Sequence, residues 1–202
     1  FTEGGLVWIK DRDTTYSNIL YDTERGTGTS KSLTSNDNYA EGNNAAFANL
    51  SSFNNNGFSV GPTSNINVLN SNTDEMSSWS FRKQKGFFDV VTYTGTGSNR
   101  TVDHQLGSVP GMILIKNLSL SGENWRCYHR SMGATKNQNF NLPHAFYNTS
   151  TDYNNTEPTS TVFTVGTDDG VNKNGDNYVA YIFAGGASTA ATAKSVDFQG
   201  SS

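Results

Sequence analysis

Cysteine is nearly missing from this chain. Cys127 stands alone among 202 residues, which excludes an intrachain disulfide framework and an all-cysteine metal site, and leaves stability to packing. Charge is sparse as well: Asp, Glu, Lys and Arg make up 16% of the chain, the formal net charge is −4, and Lys and Arg gather into nothing larger than Arg82-Lys83-Gln84-Lys85. Without a basic patch there is no electrostatic footprint for a phosphate backbone, and nucleic acid is not expected as a partner. Long apolar runs are absent too. Stretches such as Gly111-Met-Ile-Leu-Ile115 are strand-sized, well short of the roughly 20 residues a membrane helix needs, so no membrane insertion is expected. The opening Phe1-Thr-Glu-Gly-Gly5 has neither an initiating Met nor a signal-peptide layout and leads directly into a strand pattern, so the chain reads as cut from a longer polypeptide.

What the chain does have is 12% aromatics, 20 glycines and 25 asparagines, a composition suited to pleated strands joined by polar turns. Four apolar blocks recur in the same order. Gly5-Leu-Val-Trp-Ile-Lys10 matches Gly111-Met-Ile-Leu-Ile-Lys116, and Asn18-Ile-Leu-Tyr-Asp22 is followed at a similar distance by Asn124-Trp-Arg-Cys-Tyr-His129. Gly57-Phe-Ser-Val-Gly61 parallels Val162-Phe-Thr-Val-Gly166, and Met76-Ser-Ser-Trp-Ser-Phe81 parallels Tyr178-Val-Ala-Tyr-Ile-Phe183. The alternation within the last pair has the period of a strand. The expected fold is therefore all-β: an internally duplicated, jelly-roll-like antiparallel β-sandwich in two related halves, residues 1–85 and 86–186. A small-residue linker and the start of a further domain follow at 187–202. Two strands that open the second half, around Phe87–Tyr93 and Arg100–Leu106, have no counterpart before Gly5. They are expected to be lost by truncation or supplied by a neighbour along an open sheet edge. Asn174-Gly175 predicts a two-residue hairpin turn, Pro110 suits a strand start, and no helix beyond a turn or two is expected.

Few residue pairs suggest chemistry. The Glu-x-Asp-x-x-Glu pattern of a lectin-like glucanase is absent. Asp22 and Glu24 would share one face of a strand, yet solvated turn and edge positions explain such pairs far better. Cys127 and His129 would point the same way, but nearly 7 Å of strand separates an i, i+2 pair, and Cys127 reads as a small buried hydrophobe. The run Thr167–Asp176 offers Asp and Asn oxygens to a cation, though without the terminal bidentate Glu of the known calcium loop. Neither a metal nor another cofactor is expected, nor a catalytic residue. The candidate ligand-binding residues are aromatic: Trp8, Trp79, Trp125 and Tyr128, whose rings could stack on sugars while nearby Asn, Asp and Ser bond hydroxyls. Core packing competes for the three tryptophans, because all lie in the repeated strand blocks.

The runs His104-Gln-Leu-Gly-Ser-Val-Pro-Gly-Met-Ile-Leu-Ile-Lys116, Asn124–Arg130, Thr161–Gly166 and Tyr178–Phe183, in that order, resemble a repeated domain of uncharacterised function in marine bacteriophage structural proteins, often tail or tail-fibre proteins. The first half, through Gly5–Arg12 and Gly57–Phe81, is similar to a second copy, so the resemblance covers nearly residues 1–186. It implies a non-enzymatic virion protein, virion or extracellular in location, that forms a homo-oligomer or associates with other virion proteins and contacts host-surface glycans. Lectin-like, concanavalin A-like domains accompany such proteins, and Ser195–Ser202 is similar to the opening strand of one. The alternative expectation is a glycan-binding module of a secreted bacterial adhesin or hydrolase.

Overall fold

The apolar alternation of the first half folds into β1 (Gly5–Asp11), β2 (Ile19–Asp22) and β3 (Leu33–Thr34), a hairpin of β4 (Leu50–Asn54) and β5 (Gly57–Val60), and β6 (Met76–Arg82). The second half supplies β7 (Phe88–Thr94), β8 (Arg100–Asp103), β9 (Pro110–Asn117), β10 (Arg126–His129), β11 (Lys136–Asn139), β12 (Tyr147–Asn148) and β13 (Val162–Val165). A single helical turn, α1 (Asp169–Asn172), and β14 (Asn177–Ala184) complete it. This computed structural model describes residues 2–43, 48–62, 68–72 and 74–186. The expected linker and further domain at 187–202 lie outside the described residues.

The fold is all-β and layered. One main sheet has the order β3-β2-β1-β6 and the other β12-β11-β10-β9-β14-β7, while β4-β5 and β13-β8 form separate two-stranded ribbons. Because successive side chains on a strand point to opposite faces, each main sheet buries both sides. Val7, Ile9, Ile19 and Tyr21 pack under the β4-β5 ribbon with Leu50. Ile113, Ile115, Tyr178 and Ile182 pack under the β13-β8 ribbon with Phe163 and Val165. Between the two main sheets, Leu6, Leu20 and Leu33 meet Phe88, Leu114, Trp125, Val179 and Tyr181. The central core is thus built from both halves, and the chain crosses from one sheet to the other in the turn between β6 and β7.

Strand order and register run in parallel. β3-β2-β1-β6 has the same arrangement as β11-β10-β9-β14. Trp8 faces Leu20 on one side and Trp79 on the other, as Leu114 faces Cys127 and Tyr181. Even a local device recurs at the ends of β1 and β9. The Lys10 ammonium folds over the carbonyls of Asp11, Thr14 and Tyr16, and the Lys116 ammonium over those of Asn117 and Glu123. The side chains of Asp11 and Asn117 each accept from the amides two and three residues on. The two sheets differ at one flank: β14 is paired with β7, whereas β6 has no strand on its far side among the described residues.

Two sequence expectations are corrected. Gly175 does adopt a left-handed conformation, φ +86°, but its turn joins α1 to β14 and closes no hairpin. The strand before it, β13, pairs with β8 instead. The cause is Asp168, whose carboxylate accepts from the Gly170 amide and caps a helical turn. Asp22 and Glu24 do not share a strand face either: β2 ends at Asp22, which is buried, while Glu24 sits exposed in the following turn and pairs with Lys83 at 3.0 Å.

Candidate functional site

The four aromatic candidates separate into two environments. Trp125 is fully buried between the sheets, stacked on Tyr181 at 6.0 Å, with its indole N–H donating to the Thr34 carbonyl at 2.8 Å. Tyr128 is buried in the second half, its hydroxyl donating to Glu157 at 2.6 Å. Neither can meet a surface ligand, which corrects their assignment as platforms. Trp125 is sealed by packing between the two main sheets and Tyr128 by the second half's own core on the other side of its sheet, neither of which local alternation reveals.

Trp8 and Trp79 remain, and the structure brings them together. They are cross-strand partners on β1 and β6, with ring centroids 6.3 Å apart at 63°, within the edge-to-face range that aromatic pairs prefer. Trp79 is 53% exposed. Phe81, two residues along the same face, and Asn18 complete an open hollow of about 300 Å³. Phe140, from the chain after β11, closes on Trp8 at 6.0 Å, and Phe87 stacks on Phe81 at 6.5 Å. Sequence reading missed both phenylalanines, since neither lies in a repeated block. The Trp8 indole N–H is buried with no hydrogen-bond partner among the described residues. At the rim, Asn18 bonds Asn36, which bonds Asp37, and Asp37 accepts from Ser17. An apolar floor on two rigid strands beside a row of amide and carboxylate groups is an arrangement that suits a ring with one CH-rich face and hydroxyls around its edge.

Two sets of charged groups are turned inward on themselves. Asp22 and Arg25, 0% and 2% exposed at their side chains, meet at 2.5 Å. Tyr181, from the other half, donates to Asp22 at 2.8 Å and lies 3.2 Å from an Arg25 nitrogen, and Glu41 pairs with Arg25 at 2.9 Å. Burial works against the Arg25 charge, but Asp22, then Tyr181 and Glu41, outweigh it and raise its pKa further. A polar hollow of about 410 Å³ above this node is lined by Glu24, Arg25, Lys31, Glu41, Thr92 and Asn177 among others, and most of its charges are already paired to each other. Around α1, Asp168 and Asp152 hold Arg126 at 2.8 and 3.1 Å, and Asp176 accepts from Asn117. Asp168 and Asp176 carry oxygens that a cation in the 167–176 run would use, and both are engaged by these side chains. Burial pushes the Cys127 thiol up to about 11, so at neutral pH it is no thiolate nucleophile, and the Nδ1 of His129 accepts from the Ser131 amide.

A family model described as a domain of unknown function, DUF7483, matches residues 2–192, across both halves in one span. The chain belongs to this family. Searches among curated proteins and among solved structures found no match. The DUF7483 description carries no chemistry, so for this member the site stands on its own geometry, of which the Trp8–Trp79 hollow is the outward-facing part.

Proposed function

We propose that this DUF7483 chain is a non-enzymatic structural component of a virion, in a tail or tail fibre, that contacts host-surface glycans through the Trp8–Trp79 hollow. The observation that carries the reading is Trp79 itself: a large aromatic, half exposed, seated on a strand and backed by Trp8 and Phe81. Leaving half of such a side chain in water forgoes on the order of 1 kcal/mol of burial, and rigid aromatic anchors of this kind are the usual energetic centre of a recognition surface. The resemblance of His104–Lys116, Asn124–Arg130 and Tyr178–Phe183 to phage structural repeats supports the virion setting. The layered build suits a load-bearing spacer.

Two measurements test this. Titration of bacterial surface polysaccharides, followed by tryptophan fluorescence, is expected to show saturable quenching that weakens at least about tenfold in Trp79→Ala. Binding that is untouched by the substitution, or absent with every glycan of the host panel, sinks the hollow as the contact site. Antibody labelling of intact particles is expected on the tail; particles that never carry the label refute the virion assignment and leave the adhesin or hydrolase module standing.

A further inference from the structure

Each main sheet has two edges, and three of the four are blunted in ways natural sheets use against unwanted pairing. β3 and β12 are two residues long. β7 carries the buried charge of Asp89, paired with Lys83 at 3.2 Å. The fourth edge is β6: seven residues, Met-Ser-Ser-Trp-Ser-Phe-Arg, with no proline, no bulge and no charge before Arg82. The pairing with β1 fixes which of its backbone groups are free of partners among the described residues. Lys83 donates to Gly4 and Arg12 donates to Glu75, so the odd-numbered residues bond β1, and the N–H and C=O of Ser78 and Ser80 point away from it. At the matching place in the other sheet, β7 fills the flank of β14 and sets Val90 opposite Tyr181.

We propose that a second copy of this chain occupies this edge, β6 pairing antiparallel with β6 of its twin about a two-fold axis through Trp79. Three observations select this occupant and register. Centring on Trp79 places Ser78 of one copy opposite Ser80 of the other, so that the outward-pointing groups exchange hydrogen bonds, and it sets the two Trp79 residues as a non-hydrogen-bonded pair with Cα atoms about 4.5 Å apart. The same register brings Arg82, at one end of β6, beside Met76 and diagonally across from Asp74 of the other copy, whereas Lys83 and Glu75, which also face each other, are already held within each copy by Glu24 and Asp89 and by Arg12. A parallel pairing would instead set cation against cation. The interface is also isologous, each copy offering the same patch, which closes the assembly at two and leaves no β6 edge open. The pair of Trp79 rings lies on one face of the joined sheet, so the two aromatic hollows merge into a single row, Trp8–Trp79–Trp79–Trp8. This rests on the edge and its register, and stands apart from the glycan reading.

Sedimentation of the full chain needs no glycan and separates the two. The 21.9 kDa chain is expected to sediment as a dimer, and Ser78→Lys/Ser80→Lys as a monomer, with association weakened at least about 100-fold. Ser78→Glu/Ser80→Glu is likewise monomeric alone, and mixing the two variants restores the dimer, which a merely misfolded variant could not do. Register is read by cysteine: Trp79→Cys forms an interchain disulfide on mild oxidation, whereas Ser80→Cys, whose twin lies about 7–8 Å away on the diagonal, does not. A wild-type chain that stays monomeric at millimolar concentration overturns the proposal. So does a dimer that persists in both charge variants, or a disulfide that forms at Ser80→Cys and not at Trp79→Cys.

Discussion

Replacing Arg25 by Ala tests the buried node that ties the halves together. Arg25 is the positive partner of Asp22, whose side chain is 0% exposed, so the substitution strands a carboxylate between the sheets with only the Tyr181 hydroxyl and its own turn amide as donors. Removing one member of a buried ion pair typically costs about 3–5 kcal/mol, since the remaining charge stays desolvated. The bonds from Arg25 to the Lys31 carbonyl and to Glu41 are lost as well, which places the effect toward the middle or upper part of that range, about 4 kcal/mol. Proteins gain about 2.1 cal/mol/K of unfolding entropy per residue near the transition. For 202 residues, the expected drop in Tm is therefore about 10 °C. Urea unfolding and calorimetry on the same samples measure both quantities. The double variant Asp22→Ala/Arg25→Ala carries no stranded charge and is expected to recover at least about 2 kcal/mol relative to the sum of the single changes. If Arg25→Ala costs under about 1 kcal/mol, or if the two changes simply add, the reasoning that Asp22 depends on Arg25 for its burial is wrong.

Two further outcomes follow from buried titratable groups. Lys116 is fully buried and burial lowers its pKa to about 8 from 10.5; the unfolded chain then holds a proton that the folded chain has released between about pH 8 and 10, so Lys116 contributes a rise in stability with pH there, of up to about 3 kcal/mol, which urea unfolding at several pH values should show as the difference between wild type and Lys116→Met, since the raised Cys127 thiol contributes in the opposite sense above about pH 9. Cys127, with its thiol raised to about 11 and its side chain between the sheets, should resist a thiol-specific reagent at pH 8 in the native state and react at once in urea, and rapid native labelling would contradict its place in the central core.

Much of the strand inventory could be read from the sequence because local periodicity dictates it. Gly5–Lys10, Gly111–Lys116 and Tyr178–Phe183 carry their apolar residues in runs or alternation that only a strand with buried faces explains, and each lies within a strand. Which strands become neighbours is a different matter. Alternation says which way Tyr181 points, but not that Asp22, 159 residues earlier, waits at the end of its hydroxyl. The three tryptophans show the same limit. Trp8, Trp79 and Trp125 occupy similar-looking blocks, yet one is half covered, one is exposed and one is sealed, because β6 is an edge strand and the chain before β10 lies under the first sheet. The run at 167–176 misled for a local reason: Asp168 caps a helical turn and binds Arg126, and its partner lies 42 residues away in sequence.

The position of β1 and β14 has a mechanical consequence. Each is hydrogen-bonded on both flanks, β1 by β2 and β6, β14 by β9 and β7, and each lies in a different main sheet. Tension passed along the polypeptide through Gly5 and Ala184 therefore enters at the middle of two layers, where no strand can peel away singly. To part these two residues, the pull must shear at least one sheet along several antiparallel bonds or slide the sheets past the rings of Trp125 and Tyr181 that are wedged between them. Force applied between these two residues would therefore meet a stiff unit that resists lengthening.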